Sequence, residues 1–478
     1  MRMAHHCTAL LNSSLSPHLI LPSSPQYPNL VNVHYAISAP LQPACFLQPQ
    51  SSEQISLGVA LLAEADDGSP ECQFAIRGGG HTPWKGAASV QGGVTIDLAL
   101  MNSTTYTPET SSVTIMGGTR WGDVYKALKP YGVAVTGGRS DTVGVGGLII
   151  GGGLSYFGNK YGLACDNVLN FEVVLSSGQI LTVNHTSHPD LFRALKGGGN
   201  NLGLVTKVEL RAFEQGPLWG GLTGHTTADI SQQNSALVRF TGNLADDPHA
   251  QLVTIWNYDG KSNSTLVASG LQYMLEVKNP AIFEEFLEIP QTFNTLRITD
   301  IYDLMMETAP PPGKRALFLT LTFGNDGRVL EQLRILHDEA VDALPTRVKS
   351  DDWNLITFLQ PFPAVLGAAS ARKGNVLGLD QMDGDHILLL LFLAWESSND
   401  DVLFHDIGYD LIGKLKAFCD SIGAGSDYIY MNYAGRDQNP LRGYGEENVQ
   451  HLAAMARKYD PIGVFQTQCP GGWKVSAV

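Results

Sequence analysis

Residues Phe74–Gly86 read FAIRGGGHTPWKG, an apolar run followed by Arg77, three glycines and a single histidine, His81. Residues without side chains let the main chain approach a ligand closely and aim its N–H groups at an anion. A histidine at the end of such a turn is presented to whatever the turn binds. The same stretch also fits a glycine turn after a strand with an incidental surface histidine, because glycine clusters mark turns in many folds. A second stretch, Thr136–Gly162, reads TGGRSDTVGVGGLIIGGGLSYFGNKYG and has no acid or base between Val143 and Asn159. Main chain laid against a long ligand explains a run so poor in side-chain chemistry; a packed glycine corner between two sheets is the alternative. A third cluster begins at Lys196-Gly-Gly-Gly-Asn-Asn-Leu-Gly, and Tyr430-Met-Asn-Tyr433 sets two phenols beside an amide near the carboxyl end.

Other chemistry is missing. The dinucleotide pattern G-x-G-x-x-G occurs nowhere, so a Rossmann fold is unsupported. Gly408–Lys414 comes near a nucleotide P-loop, but Leu415 stands where Ser or Thr would hold magnesium. There is no H-E-x-x-H zinc site and no G-x-S-x-G nucleophile elbow, and the six cysteines form no C-x-x-C pair. The net charge of −15 comes without a basic stripe, which argues against a nucleic-acid partner. The longest apolar run, Ile387–Ala394, is strand-sized and far short of the roughly 18 residues of a membrane span. Leu19-Ile20-Leu21 is too short for a signal-peptide core, and four Asn-x-Ser/Thr triplets point only weakly to secretion. The demanding chemistry therefore falls to a bound organic cofactor or is absent.

The elements that must hold these loops follow from periodicity. Ser52–Ala65 has helical spacing (Ile55, Val59, Leu62), with Ser51 or Ser52 able to cap it. Gly93-Val-Thr-Ile-Asp-Leu and Ser112–Met116 are predicted strands, and Trp121–Tyr131 a short amphipathic helix closed by Gly132. Phe171–Leu175 and Gln179–Val183 flank Ser-Ser-Gly and predict a hairpin. Pro189–Leu195 reads as a helix and Leu204–Leu210 as a strand. After Arg211 the glycine clusters stop and longer elements alternate. Strands are expected at Leu252–Trp256, Ala316–Phe323, Leu355–Leu359 and Ile387–Ala394, and helices at Ala281–Leu287, Val329–Leu344 and Val402–Phe418. That pattern predicts a second domain, one sheet with helices on one face. Met1–Gln50, rich in Ser, Pro and Asn, reads as an irregular arm. Asp427–Trp473 returns to the aromatic, glycine-containing style, with a helix at Val449–Lys458.

Several segments, taken jointly, resemble the vanillyl-alcohol-oxidase (PCMH-type) flavoproteins, in particular their fungal berberine-bridge-enzyme-like branch. They are Arg77-Gly-Gly-Gly-His81, Val143-Gly-Val-Gly-Gly147 with Gly151-Gly-Gly153, Lys160-Tyr-Gly-Leu-Ala-Cys-Asp-Asn167 and Gly197-Gly-Gly-Asn-Asn-Leu-Gly-Leu-Val-Thr206. Pro189-Asp-Leu-Phe-Arg-Ala-Leu, Tyr430-Met-Asn-Tyr433 and Tyr459-Asp-Pro461 complete the set, which spans most of the chain. The resemblance implies an α+β fold: a PCMH-type FAD-binding domain of two α+β subdomains, plus a substrate domain with an antiparallel sheet covered by helices. The implied division is an arm at 1–39, the FAD domain at 40–213, the substrate domain at 214–426 and a segment at 427–478 that completes the FAD domain.

The resemblance also implies that FAD is held by Arg77, Gly78, Gly79 and Gly80, by Ser140, Val143, Gly144, Gly146, Gly147 and Gly153, and by Asn201, Gly203, Val205 and Asn432. Glycine N–H groups would carry the pyrophosphate, Arg77 would orient its loop, and His81 would be bonded to the flavin 8α-methyl carbon, with Trp84 packed beside it. Many relatives add a second bond from a cysteine at the position of Ser140; the serine here implies a single link. Valine at the position of Val143 favours access of dioxygen, and hence oxidase behaviour with hydrogen peroxide as co-product. Cys7 and Cys45 resemble a disulfide that fastens the arm. Such a disulfide suggests an oxidising compartment, in tension with the absent signal core; an incomplete amino terminus would resolve it. Localisation stays open between secreted and intracellular, and the chain between monomer and homodimer.

Hydride removal needs a group that takes the accompanying proton. Some relatives place a glutamate on the strand ending in Ala-Trp, but His386–Trp395 here reads HILLLLFLAW and offers none. The candidates are Tyr430 and Tyr433, with Asn432 bonding flavin or substrate, and Asp380 third; His386 is a further pocket candidate. A phenol of pKa about 10 needs a large downward shift for this work. The leading expectation is an oxidase of a small organic, natural-product-like molecule. Alternatives are an oxidative cyclase or pericyclase, a carbohydrate oxidase, or a binding protein that has lost flavin.

Overall fold

The computed structural model describes residues 5–66, 68, 69, 72–308 and 313–478; residues 1–4 of the expected arm lie outside them. Three sheets organise the chain. The first is small and mostly parallel. Strand Phe74–Arg77 pairs with Val94–Asp97, which pairs with Cys45–Leu47, and Leu19–Ile20 adds an antiparallel edge. Helix Ser52–Glu64 packs on it through Ile55, Val59 and Leu62, its start capped by the Ser51 hydroxyl. Parallel register sets Arg77 beside Asp97. The two form a buried ion pair at 3.1 Å, and Arg77 Nη1 also donates to the Leu30 carbonyl at 2.6 Å. This pair anchors the end of the strand from which the first glycine cluster leaves.

The second sheet is antiparallel, ordered Thr104–Thr107, Ser112–Met116, Leu204–Glu214, Val168–Val174, Ile180–Val183, with Val133–Val135 also on the long strand. The hairpin expected around Ser-Ser-Gly is present as Val168–Val174 and Ile180–Val183. Helix Trp121–Leu128 runs into a 3-10 turn ending at Gly132, whose φ of +63° suits glycine.

The third sheet has eight antiparallel strands drawn from Leu218–Trp395. Its central strands are Ala250–Asp259, Trp353–Phe362 and His386–Trp395, with Arg315–Gly324 at one edge. Helices Ile230–Asn243, Gly327–Ala343 and Asp401–Ser421 cover one face. Alternation explains the bare strand HILLLLFLAW. Ile387, Leu389, Leu391, Leu393 and Trp395 pack under the helices, while Leu390, Phe392 and Ala394 point to the opposite face. Both faces are buried, so no polar residue interrupts the run. Four strands escape a sequence reading: Leu218–His225 and Ser264–Tyr273, because glycines and hydroxyls dilute their apolar signal, and the short Phe293–Asn294 and Arg297–Thr299; helix Ile230–Asn243 is too polar to show a stripe. The P-loop-like Gly408–Lys414 lies inside helix Asp401–Ser421.

The amino-terminal segment is more regular than expected. Helices His5–Leu11 and Tyr27–Val31 and two short strands replace the irregular arm, because Cys7, Leu10 and Leu15 join the core of the first sheet. A disulfide joins Cys7 to Cys45. The carboxyl segment returns to the glycine-rich half. Phe74 N donates to Gln468 O at 2.7 Å, and the Tyr444 hydroxyl donates to Gly197 O at 3.0 Å.

Candidate active site

The glycine clusters and the face of the large sheet opposite its helices enclose a cavity of about 370 Å³. On one side it is walled by Gly78–Gly80, His81, Gly144, Gly146, Gly147, Gly203 and Val205. The first two clusters meet back to back: a Cβ on Gly79 would fall 2.4 Å from Gly144 N, and the reverse contact is equally short. A Cβ on Gly147 would meet nothing within 4 Å and would stand in the opening that a ligand needs. The loops are therefore packed against each other on one side and bare on the other.

His81 lines this cavity, and Nε2 is buried without a hydrogen-bond partner. Burial, assisted by the positive charge of Arg120, lowers its pKa to about 4. At neutral pH the imidazole is uncharged, with a nitrogen lone pair free to form a bond. Its ring stacks on Tyr35 of the amino-terminal segment, with centroids 4.1 Å apart. Trp84, expected beside His81, instead meets Trp473 edge to face at 5.6 Å. The Ser140 hydroxyl also lines the cavity, buried and without a partner, and Val143 stands near it. Unpartnered polar atoms, a neutral imidazole and bare main chain together suit a long polar cofactor such as FAD.

Three expected cofactor contacts lie outside the cavity wall. Arg77 is spent on Asp97 and Leu30. Gly153, at φ +95°, is pressed between Leu148 and Ala164, where a Cβ would come within 2.6 Å of the Leu148 side chain. Asn201 is fully buried and clamps the carboxyl segment, its Nδ2 donating to Gly198 O at 2.8 Å and Trp473 O at 2.9 Å. Its neighbour Asn200 reaches the cavity in its place.

On the other side the wall is apolar sheet: Leu222, Val253, Ile255, Phe318, Phe358, Leu390 and Phe392, with Gln272 and Gln360 among them. Tyr430, Asn432 and Tyr433 close the space between the two sides. The Tyr430 hydroxyl accepts from Leu154 N at 2.7 Å and from Asn432 Nδ2 at 3.1 Å. Burial nonetheless drives its pKa up, which is the wrong direction for a base. Asn432 also donates to Leu148 O at 3.0 Å and so holds this turn against the second glycine cluster. Tyr433 differs. Its oxygen accepts from Arg139 Nη2 at 3.0 Å and Gln360 Nε2 at 3.4 Å. Both hydrogen bonds run into that oxygen, one from a cation and one from an amide.

Asp380 is exposed in a 3-10 turn and lines no part of the cavity, so the structure corrects its candidacy. His386 is likewise outside, buried at a strand start with Nδ1 3.1 Å from Gly384 O. The reading of motifs missed Tyr35, Arg139, Gln272 and Gln360. Their signal is tertiary: Arg139 and Gln360 lie 221 positions apart in the chain.

Comparison with known proteins agrees with this geometry. The family described as "FAD binding domain" matches residues 43–184. The FAD-dependent monooxygenase drtC of Aspergillus calidoustus is 39% identical over 478 residues, covering 100% of this chain and 91% of that protein. The structure of 6-hydroxy-D-nicotine oxidase from Arthrobacter nicotinovorans superimposes with a TM-score of 0.78 at 21% identity, over 94% of this chain and 96% of the other. Glucooligosaccharide oxidase from Acremonium strictum, whose FAD is described as 6-S-cysteinyl and 8α-N1-histidyl, gives a TM-score of 0.74 at 19% identity, over 95% of this chain and 98% of the other. On sequence and on fold, the chain belongs to the berberine-bridge-enzyme-like FAD-linked oxidoreductases.

Proposed function

We propose that the chain is an oxidase of a small, largely apolar organic molecule, with FAD bonded once, through His81, and dioxygen as the electron acceptor. Residues 40–213 and 427–478 form the FAD-binding part in this reading, and 214–426 the substrate part. The observation that carries it is the neutral imidazole of His81, its Nε2 without a partner, in the wall of a cavity that runs from bare glycine loops to an apolar sheet. The glycine loops would hold the cofactor through main-chain N–H groups, Gly78–Gly80 and Gly144–Gly147 foremost. Bound there, FAD supplies a two-electron acceptor for hydride. Ser140 has no thiol with which to form a second link.

The protein's own part is to orient the substrate and manage one proton. Apolar side chains of the sheet exclude water from the reacting carbon, which strengthens every polar interaction beside it. In its phenolate form, with the Arg139 guanidinium holding the oxygen in place, Tyr433 takes the hydroxyl proton as the C–H bond gives up hydride, and ends as the neutral phenol. Substrate CH–OH becomes C=O, and the two electrons and two protons leave as hydrogen peroxide on dioxygen. Asn432 and Tyr430 keep the turn that presents Tyr433 in register.

The relative named a monooxygenase favours a second reading, in which one oxygen atom enters the product. Turnover under ¹⁸O-labelled dioxygen separates the two. The oxidase reading requires one hydrogen peroxide per product and no label in it; labelled product without peroxide supports oxygenation instead.

A further inference from the structure

Arg139 is the one charged side chain among the described residues that line the cavity. No carboxylate among the described residues pairs with it: its Nη2 donates to the Gln360 amide oxygen and to the Tyr433 oxygen. Arg77, the buried arginine beneath the first glycine cluster, by contrast has the carboxylate of Asp97. A cation set in an apolar wall without a counter-ion leaves a charge to be neutralised by whatever enters. A second polar atom in that wall is also idle: Gln272, 2% exposed, has its Oε1 buried with no partner. One unsatisfied cation and one unsatisfied acceptor, amid Leu390, Phe392, Phe318 and Phe358, describe a complementary ligand.

We propose that the substrate is an aromatic or otherwise apolar molecule bearing an ionised oxygen, phenolate or carboxylate, which pairs with Arg139, while a hydroxyl or N–H of the same molecule donates to Gln272. The inference rests on the reading of this cavity as the active site of a flavin oxidase. It makes Arg139 a specificity determinant. The planar guanidinium can keep its bonds to Gln360 and Tyr433 while its remaining N–H groups turn to a carboxylate or phenolate. Neutral sugars, which carry many hydroxyls and no charge, fit this wall poorly.

The test uses the flavin-loaded protein and four probes titrated at pH 8, followed by the flavin absorbance and by calorimetry. They are 2-naphthoate against methyl 2-naphthoate, and 4-nitrophenolate against 4-nitroanisole, so that the carboxylate and phenolate arms are read separately. The ions should bind more tightly than their neutral counterparts by on the order of 30-fold or more in at least one arm. Arg139→Gln should abolish that preference, Arg139→Lys should restore part of it, and both should keep acid-stable flavin and the wild-type flavin midpoint potential. Equal binding of ions and neutral probes by the wild type would overturn the proposal, as would a preference that survives Arg139→Gln. A changed flavin potential with unchanged probe binding would also overturn it, assigning the cation to the cofactor. If Arg139→Gln does not fold, the wild-type comparison alone decides. A colourless wild-type protein would fail the flavin reading itself, before any probe is added.

Discussion

The two walls of the cavity are built on opposite plans. The wall proposed to hold the cofactor is main chain, its glycines packed so closely that a Cβ on Gly79 would fall 2.4 Å from Gly144 N. The substrate wall is side chain, large residues standing on alternate positions of a sheet whose other face is buried under helices. A backbone wall suits one ligand and tolerates almost no change, because adding a single methyl group displaces a loop. A side-chain wall can be repainted residue by residue while the strands stay in place. In the proposed reading, the contrast puts the identity of the substrate in the sheet face opposite the helices and its few polar atoms, not in the glycine motifs.

Tyr433 sits at the seam, and removing its hydroxyl should produce the largest effect. In Tyr433→Phe the rate of flavin reduction is expected to fall by roughly 10²- to 10⁴-fold, the usual contribution of a positioned acid or base. Flavin content should stay at the wild-type level. Stopped-flow reduction by substrate measures both, and an unchanged rate would remove Tyr433 from the proton path. The comparison with Tyr430→Phe sharpens this. That phenol supports Leu154 N and Asn432, so its loss should cost about 1–3 kcal/mol of stability with a smaller kinetic change.

Within the cofactor wall, two glycines should respond differently. Gly79→Ala forces the first two clusters apart and is expected to destabilise the fold by about 1–3 kcal/mol, read as a lower Tm even without flavin. Gly147→Ala meets no protein atom, so the flavin-free Tm should hold while flavin retention falls. Equal Tm losses in both variants would contradict a cradle that is packed behind and bare in front.

The smallest expected effect is a near-absence of pH dependence. His81 has a pKa lowered to about 4, so the imidazole stays neutral from pH 8 down to 5.5. Attachment of FAD to flavin-free protein should then proceed at nearly constant rate across that range and slow only as the pH nears 4. An imidazole at its ordinary value would lose about tenfold of its neutral form by pH 5.5. Acid-stable flavin measured against time at each pH distinguishes the two.

Much of the cofactor wall was legible in the sequence, because backbone approach demands glycine and glycine clusters are visible without a partner. Positions such as Gly79, His81 and Gly147 stand where those motifs set them. Gly153 and Asn201 show the limit: both belong to the motifs, yet one serves packing and the other clamps the carboxyl segment. The sheet was legible in outline, since apolar runs mark buried strands. Its facing was not, because HILLLLFLAW is buried on both sides and carries no alternation to read. Arg139 was hidden for a different reason. Nothing local distinguishes it, and its role depends on Tyr433 and Gln360 arriving from distant strands and turns. Tyr35 lies in a segment whose composition suggested a loose arm, while the structure stacks it on His81.

The account stands on a carbon–nitrogen bond between His81 and the flavin. Acid precipitation of the purified yellow protein, followed by mass spectrometry of the peptide spanning Phe74–Gly86 and of the peptide that holds Ser140, reads it directly. The predicted result is one FAD-sized addition on His81, none on Ser140, and loss of acid-stable colour in His81→Ala. An unmodified peptide with all flavin in the supernatant would contradict the tether.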